Sequence, residues 1–532
     1  MNSASSTVAD TRRHDLDALR AIAMLLGILL HAAMSFIPFG WVVTDKYAFP
    51  EAKLILDSIH GFRMPLFFLL SGYFTCMLWE KRGVKGLLIH RAKRILLPLV
   101  VSMFTIIPAV WAATIYVTTA AVAEERTDPE AAFDETDSKN QKDESGSESE
   151  LLDPEARPRS VIELAALRQD ETLSAAIAAG ADVDAIDDNG STALHVACLF
   201  GYDDIAEILL EAGADPLIRN KDGSTAVDTL YASMDVTRFI AGLLQIEFDE
   251  ERITEGRRKI GELMEKTGQD LGDGKDEVEQ LIEGIIVGLF FFPVFHHLWF
   301  LWFLVWFVLL FALAATVVKA LELRPLPSWL VASPIALLWL VPATAILQWF
   351  QSGFGPDTSI GLIPLPNVFA YYTLFFFFGA IYFSAKDQES RLTRGWWLHL
   401  ILAPAIFFPA AAFFESESKV LETALRTISV ACYTWSMTIG FMGAFERLLS
   451  KPSPAMRYVS DSSYWLYITH IPFIMMLQFW IRDWDQPAWI KILVLCGITT
   501  STLLISYQLL VRHTFIGTML NGARRAKIPA SH

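Results

Sequence analysis

An arginine and a histidine, Arg20 and His31, stand eleven positions apart in a mainly apolar stretch near the start of the chain, Arg13 to Phe36, which also carries Asp15 and Asp17. On an α-helix, Arg20 and His31 would face within about 20° of one another and lie about 16 Å apart along the axis. Arg20 would then sit at the surface of a bilayer, and His31 would reach the hydrocarbon interior. An ionisable residue at that depth is costly, which favours a functional role. A structural histidine bonded to a neighbouring helix is the alternative.

The composition is typical of a protein with many membrane-spanning helices. Of the 532 residues, 53% are hydrophobic, and an acidic internal block carries much of the net charge of −16. Apolar segments of about 20 residues, the length that crosses a bilayer, recur on both sides of that block. They are expected at about residues 16–36, 63–79, 95–117, 296–318, 329–350, 367–385, 397–414, 423–444, 461–480 and 489–510. The predicted fold class is therefore all-α, a polytopic membrane protein of about ten transmembrane helices.

A 33-residue repeat lies inside the acidic block. The segments GADVDAIDDNGSTALHVA and GADPLIRNKDGSTAVDTL recur, with Gly180 matching Gly213 and Gly190 matching Gly223. They resemble ankyrin repeats, which share this period. The resemblance implies a small α-helical stack inserted between transmembrane helices three and four, in which His195 has a structural part in the turn. Because ankyrin surfaces bind proteins, it also implies an unidentified protein partner.

Changes in composition along the chain predict six regions. They are a first membrane part at 1–120, an acidic disordered linker at 121–156, ankyrin repeats at 157–245, a charged helical connector at 246–283, a second membrane part at 284–515 and a cytoplasmic tail at 516–532. Lysine and arginine are concentrated in alternate loops, which places both termini in the cytoplasm. The ankyrin block then falls on the extracytoplasmic side, although ankyrin repeats are mostly cytoplasmic.

The chain shows no spacing typical of a metal, cofactor or nucleic-acid site. Its four cysteines stand singly, three in apolar segments and one in the ankyrin block, which indicates neither a disulfide framework nor a metal centre. Topology accounts for the basic residues. We therefore expect no bound metal, no bound cofactor and no nucleic-acid partner, and we expect membrane lipid around the helices.

Five motifs in order along the apolar parts carry a family resemblance. They are LDALRAIAMLLGILLHAAMSF, FRMPLFFLLSGYF, HRAKRILLPL, HLWFLWFL and SSYWLYITHIPF. Together they resemble the acyltransferase-3 family of integral membrane acyltransferases, and within it the glucan biosynthesis protein C-like members, over residues 13–117 and 290–515. The resemblance implies a protein of the bacterial inner membrane. It also implies transfer of an acyl group, succinyl or acetyl, from cytoplasmic acyl-CoA to a hydroxyl of an extracytoplasmic glycan.

The resemblance also suggests roles for the basic residues. The family's Arg-x10-His motif falls on Arg20 and His31, which are therefore the expected catalytic residues, and Arg20 could also contribute to a coenzyme A site. A hydroxyl needs a base before it can attack, so His31 would serve as general base or as a transient acyl carrier, and the sequence leaves both open. Arg91 and Arg94, three residues apart, would bind the phosphates of coenzyme A with two guanidinium groups on one helical face. The alternative is that they are ordinary positive-inside anchors.

A further group of polar and aromatic residues is expected at the acceptor side or in the pocket. Trp299 could stack on a sugar face, and Tyr467 and His470 match the family's tyrosine–histidine–proline pattern. The residues before the second and fourth spans could equally be interfacial anchors, because aromatic and basic residues favour membrane edges. The full group is His60, Arg63, His296, His297, Trp299, Tyr467 and His470.

Two functions of other classes stay open at this stage. One is an inactive membrane scaffold that displays the ankyrin repeats, and the other is a transporter of a lipid or small anion. An inactive core has no physical reason to keep expensive intramembrane charge such as His31, which argues against the scaffold. A transporter would need no acyl-CoA, so protection by acyl-CoA distinguishes it from a transferase.

Overall fold

The computed structural model describes residues 13–522, apart from 38–40, 50, 128–159, 267–284 and short gaps at 188, 222, 233, 235–236, 238–239, 242–245, 247, 287, 352, 388 and 417. The chain divides into two compact units, Met1–Ala121 with Phe290–His532, and Val122–Leu289. Most of the predicted acidic linker lies outside the described residues. The two units are described separately below.

All regular elements in the described part of the chain are helices. Before the insertion these are α1 (His14–Met34), α2 (Ala52–Arg91), a π-helical turn (Ala92–Leu96) and α3 (Leu97–Thr127). The insertion holds α4 (Val161–Ala166), α5 (Asp170–Ala178), α6 (Ala193–Phe200), α7 (Asp203–Glu211), α8 (Ala226–Leu230) and α9 (Glu250–Lys266). The remainder holds α10 (Trp299–Ala320), α11 (Ser328–Val331), α12 (Leu337–Gln348), α13 (Pro366–Ala385), α14 (Trp396–Leu402), α15 (Phe408–Phe413), α16 (Lys419–Leu448), α17 (Pro454–Ile481), α18 (Ala488–Ser506) and α19 (Phe515–Asn521).

The helices confirm an all-α polytopic membrane protein. Eight helical segments in the described residues are long and apolar enough to cross a bilayer, where the hydropathy pattern predicts about ten. The difference has two physical reasons. One segment, Ala52–Ala120, is 69 residues long and contains two predicted spans without a loop between them. Another predicted span falls on Pro334–Gln348, which is too short to count by length.

The long segment turns back on itself at Gly83. This residue has φ 65° and ψ −179° inside α2, a backbone conformation that glycine adopts without strain. Beyond it, Arg91 Nη2 donates a hydrogen bond to Thr75 Oγ1 at 2.8 Å. Residues 16 positions apart would be about 24 Å apart along a straight helix, too far for a side chain to bridge. The chain therefore reverses near Gly83, and one continuous helical segment can hold two spans.

Close helix packing between α2 and α13 depends on a pair of glycines. A Cβ atom on Gly72 would lie 1.8 Å from the carbonyl oxygen of Phe376, and one on Gly379 would lie 1.9 Å from that of Leu69. Small residues let membrane helices approach in this way, because without a hydrophobic driving force they associate by packing. Gly72 and Gly379 therefore allow α2 and α13 to pack backbone against backbone.

Helix α1 lies at the centre of the membrane unit, in contact with α2, α16, α17 and α18. Arg20 near its start reaches Ser460 on α17, and the carbonyl of His31 near its end reaches Gln478 on the same helix. Helices α1 and α17 therefore run parallel. Both would begin on the same side of a membrane, as the alternation of basic loops predicts.

The inserted unit has the predicted ankyrin architecture of short helix pairs. His195 Nδ1 lies 2.9 Å from Thr192 Oγ1, and its Nε2 lies 3.1 Å from the carbonyl oxygen of Ser224 in the next repeat. Burial lowers the pKa of this histidine. These bonds join neighbouring turns, which agrees with the predicted structural role of His195.

Helix α9 closes the end of the ankyrin stack. Its apolar face, with Ile260 and Met264, belongs to the buried cluster of the repeats. Arg257 donates from Nε and Nη2 to the carbonyl oxygen of Leu199, from Nη1 to that of Ala232 and from Nη2 to Thr237. The first part of the predicted connector is therefore packed as part of this unit.

Replacing Arg257 with methionine should destabilise the inserted unit by about 2–4 kcal/mol, because several buried hydrogen-bond acceptors would lose their donor. Limited proteolysis of the full chain in membranes would show faster cleavage within the repeats. Arg258→Met is the matched control, since that side chain is half exposed and pairs with Glu255 and Glu262 on its own helix. Equal protection of the Arg257 and Arg258 variants would contradict the prediction.

Candidate active site

Three histidines from three different helical segments meet inside the membrane unit. The ring centroids of His31 and His470 are 5.0 Å apart, and those of His297 and His470 are 5.5 Å apart. His31 comes from the last turn of α1, His470 from the middle of α17 and His297 from the turn before α10. We call these three residues the histidine cluster.

The cluster is covered by residues that sequence reasoning did not single out. The indole ring of Trp41 stacks on the His31 ring, with centroids 5.8 Å apart and an interplanar angle of 25°. Trp41 Nε1 donates to Gln478 Oε1 at 2.9 Å, and Gln478 Nε2 donates to the carbonyl oxygen of His31 at 2.8 Å. Gln478 thereby binds one of the free carbonyls at the end of α1. These contacts fix both the ring and the backbone of His31.

A buried cation lies directly beside the histidine cluster. Arg63 of α2 crosses α1 at Gly27, where a Cβ atom would lie only 2.1 Å from Arg63 Nη1. Gly27 is one helical turn before His31, on the same face of α1. The positive charge of Arg63 therefore lies next to the turn that carries His31, where it can stabilise negative charge that develops on a substrate.

Two more of the predicted pocket residues are tied to backbone carbonyls around the cluster. His60 Nε2 lies 2.8 Å from the carbonyl oxygen of Pro356. The Tyr467 hydroxyl donates to the carbonyl oxygen of His297 at 2.8 Å. Trp299 is placed differently, because its ring packs among Phe68, Phe303 and Tyr372 in the aromatic core. Its surroundings favour packing over the predicted stacking on a sugar. His296 also turns away from the cluster, with its ring against Trp111.

The other end of α1 carries a group of basic residues. Arg20 lies 3.8 Å from Asp17 and donates to Ser460 Oγ at 3.4 Å. It is within electrostatic range of Arg91, whose Nη2 donates to Thr75. In the described part of the chain the buried Nε of Arg91 has no hydrogen-bond partner. Two guanidinium groups close together, with a donor left over, form a site suited to an anion.

Arg94 has a different environment from Arg91. Its Nη1 donates to the carbonyl oxygens of Thr518 and Met519, at 3.1 and 3.2 Å. These carbonyls belong to the last turn of α19, which has no helical partners for them. Cations are favourable at a helix C-terminus. The contacts of Arg94 therefore tie α19 to the chain between α2 and α3.

The loop that carries Trp41 is anchored by a buried ion pair. Lys491 Nζ donates to Asp45 Oδ1 and Oδ2, at 2.9 and 2.8 Å, and to the carbonyl oxygen of Arg482 at 2.7 Å. The side chains of Lys491 and Asp45 are 0% and 3% exposed. At the surface, hydrogen bonds from Tyr47 and Lys46 lower the pKa of Asp485. Residues 41–49 are thus held to the start of α18.

The comparison with protein families decides between the possible classes. The model of the acyltransferase-3 family, described as an acyltransferase domain, matches residues 13–122 and 262–511. This is more than half of the chain and includes every residue of the predicted site. The chain belongs to the acyltransferase-3 family. A second model, for ankyrin repeats, matches residues 177–230 and confirms the predicted inserted domain.

The chain is also similar to curated members of this family. It is 37% identical over 103 residues to glucans biosynthesis protein C from Salmonella paratyphi B, Salmonella heidelberg and Salmonella enteritidis. Each alignment covers 19% of this chain and 26% of the relative, so the match spans about a quarter of the curated proteins. No solved structure matches this chain.

Proposed function

We propose that the protein is a membrane O-acyltransferase that moves an acyl group, succinyl or acetyl, from acyl-CoA to a hydroxyl of a glycan. The observation that carries the proposal is the convergence of His31, His470, His297 and Arg63 at one end of α1, with Arg20 and Arg91 at the other. A group that can accept a proton thus lies at one end of α1, and a group that can bind an anion lies at the other. Membership of the acyltransferase-3 family supports the reaction class.

His31 acts as the general base in this proposal. It takes the proton of the acceptor hydroxyl as the hydroxyl oxygen bonds to the acyl carbon and the carbon–sulfur bond breaks. The proton then passes to the departing thiolate, which yields free coenzyme A. Arg63 stabilises the negative charge on the thioester oxygen during attack, and the stacked ring of Trp41 holds the imidazole in place. The protein needs no metal or bound cofactor for this step.

Arg20 and Arg91 bind the phosphates of acyl-CoA at the other end of α1. Guanidinium groups are well suited to phosphate because they present several N–H donors in one plane. The acyl arm then extends along α1 towards His31, over the axial distance of about 16 Å that separates positions 20 and 31. The donor and the acceptor would approach from opposite sides of the membrane.

The acceptor is proposed to be an extracytoplasmic glycan, a choice supported by the name of the glucans biosynthesis protein C relatives. The protein would lie in the bacterial inner membrane with both termini in the cytoplasm and the ankyrin repeats outside, as the distribution of basic residues indicates. The ankyrin repeats would bind a protein on that side, because such stacks offer an extended recognition surface.

The first experiment is acyl transfer from labelled succinyl-CoA and acetyl-CoA to an extracted glycan pool. Membranes would contain the wild type, His31→Ala or His399→Ala at matched expression. His399 is the control, because it is an intramembrane histidine on α14 that lies near Ser436. Label on glycan that is lost only in the His31 variant is the expected result. Acid quenching without acceptor would reveal labelled protein if His31 instead carried the acyl group covalently.

Two other outcomes would point to the other classes of function. Acyl-CoA binding without transfer from either donor, over a range of glycan fractions, would contradict the transferase. No acyl-CoA binding at all would favour the scaffold or the transporter. Uptake of a labelled anion into vesicles, unaffected by acyl-CoA, would then identify the transporter.

The different contacts of Arg91 and Arg94 lead to a prediction about donor binding. Arg91→Ala should raise the KM for acyl-CoA about tenfold or more, because it removes a buried charge from the anion site. Arg94→Ala should change that KM less than twofold and should instead loosen α19, which loses its carbonyl partner. Donor titrations combined with protease accessibility of the C-terminus would measure both effects. Equal KM increases in the two variants would instead support the predicted donor-binding role of Arg94.

A further inference from the structure

The proton positions on two rings of the histidine cluster follow from their backbone contacts. His297 Nε2 lies 2.9 Å from the carbonyl oxygen of Ile468. His470 Nδ1 lies 2.8 Å from the carbonyl oxygen of Tyr467. A carbonyl oxygen only accepts hydrogen bonds, so each of these nitrogens carries the proton. In the neutral rings, Nδ1 of His297 and Nε2 of His470 are then bare acceptors.

Both of these acceptor nitrogens are buried and have no partner within the described residues. The same is true of Arg63 Nε, which is a donor. Leaving buried polar groups unpaired costs free energy, and native proteins rarely do so without a reason. Two bare acceptors and one bare donor beside the ring of His31 form a set that a ligand with several hydroxyl groups would satisfy.

We infer that His297 Nδ1 and His470 Nε2 accept hydrogen bonds from two hydroxyl groups of the acceptor, adjacent to the hydroxyl that His31 activates. The inference rests on the proposed function and deepens it by naming the two side-chain atoms that recognise the neighbouring hydroxyl groups of the glycan. Arg63 Nε donates a hydrogen bond to an oxygen atom of the same acceptor. A site built to pair hydroxyl groups discriminates strongly against analogues that lack them, because its own polar atoms would stay unpaired.

The fixed tautomers allow variants that remove one atom's function at a time. In His297→Gln, the side-chain amide can still donate to the Ile468 carbonyl in place of Nε2, but the Nδ1 acceptor is gone. In His470→Asn, the amide can still donate to the Tyr467 carbonyl in place of Nδ1, but the Nε2 acceptor is gone. His399→Asn is the matched control, an equivalent change at a membrane histidine that lies outside the cluster.

The first measurement is transfer to the glycan pool with the acceptor and the donor varied in turn. His297→Gln and His470→Asn should each raise the acceptor KM about tenfold, the size of one hydrogen bond, with the donor KM changed less than twofold. The His399 control should leave both constants unchanged. An unchanged acceptor KM in both variants, or an equal rise in the donor KM, would overturn the inference.

A second measurement does not depend on turnover and so separates this inference from the proposed reaction. A radiolabelled glucose oligosaccharide would be bound at equilibrium to the full chain in detergent. The wild type and the His399 variant should retain the probe, and the two cluster variants should bind it about tenfold more weakly. Equal binding by all four proteins, or no binding by the wild type, would overturn the inference even if acyl transfer is found. Absence of transfer with this binding pattern would contradict only the proposed reaction.

Discussion

Gly27→Ala is expected to lower the rate of acyl transfer by roughly a hundredfold or more, the usual effect of displacing a preorganised cation from an active site. The new Cβ atom would lie 2.1 Å from Arg63 Nη1 and 3.4 Å from its Cζ. The colliding group is the end of a flexible side chain, so the helices can stay in place while the guanidinium moves. Alanine is also a better helix former than glycine, which keeps α1 intact. Activity should fall without unfolding.

The measurement is acyl transfer by membranes that contain equal amounts of the wild type and the variant. Gly497→Ala in α18 is the control, since among the described residues no atom outside the adjacent helix backbone lies within 4 Å of a Cβ atom at that position. Elution of the variant as a single peak in detergent would show that it is folded. A Gly27→Ala protein with the wild-type rate would mean that the position of Arg63 has no part in the reaction.

Lys491→Met is expected to reduce the free energy of unfolding by about 3–5 kcal/mol, because it leaves the buried carboxylate of Asp45 without a counter-charge. The variant should also lose activity, since residues 41–49 carry Trp41, which stacks on His31. Thermal unfolding in detergent, followed by loss of the monodisperse peak, would measure the first effect. The label-transfer assay would measure the second.

Two further variants test whether the ion pair itself is responsible. Lys46→Met removes an ion pair with Asp485, in which the carboxylate is 82% exposed, and should have little effect. Asp45→Asn combined with Lys491→Met should be more stable than Lys491→Met alone, because no unpaired charge remains. If the destabilisation of the double variant equalled the sum of those of Asp45→Asn and Lys491→Met, the two residues would not be coupled.

The fold was predictable because its signals are local. Runs of apolar residues predict membrane helices, and a 33-residue period predicts ankyrin repeats; the structure and the family matches confirm both. Hydropathy predicts the two spans at 63–79 and 95–117, but it does not show that Gly83 joins them in one continuous helical segment. The convergence of His31, His297 and His470 was not visible in spacing alone. The sequence predicted His31 as a catalytic residue and His297 and His470 as acceptor-side or pocket residues, but it did not predict that their rings meet.

The residues that hold the site could not be predicted in the same way. Trp41 and Gln478 bond to each other across 437 positions of sequence, and Lys491 and Asp45 across 446. No periodicity records such a pair, and a loop tryptophan at a membrane edge has an ordinary explanation as an anchor. Gln478 did offer a signal, since a polar residue inside an apolar helix needs a partner. Arg94 matched a motif, yet its contacts are with the carbonyls of α19.

The turn at Gly83 and the length of α1 together set the distance between the proposed donor-binding arginines and His31. The turn brings Arg91 back to Thr75 and within range of Arg20, so both cations lie near one end of α1. His31 lies about 16 Å further along the axis. An acyl phosphate, whose acyl carbon is bonded directly to a phosphate oxygen, is too short to place one end at the arginines and the other at His31. If the proposed function is right, the donor must carry its acyl group on an arm long enough to span this distance, as acyl-CoA does.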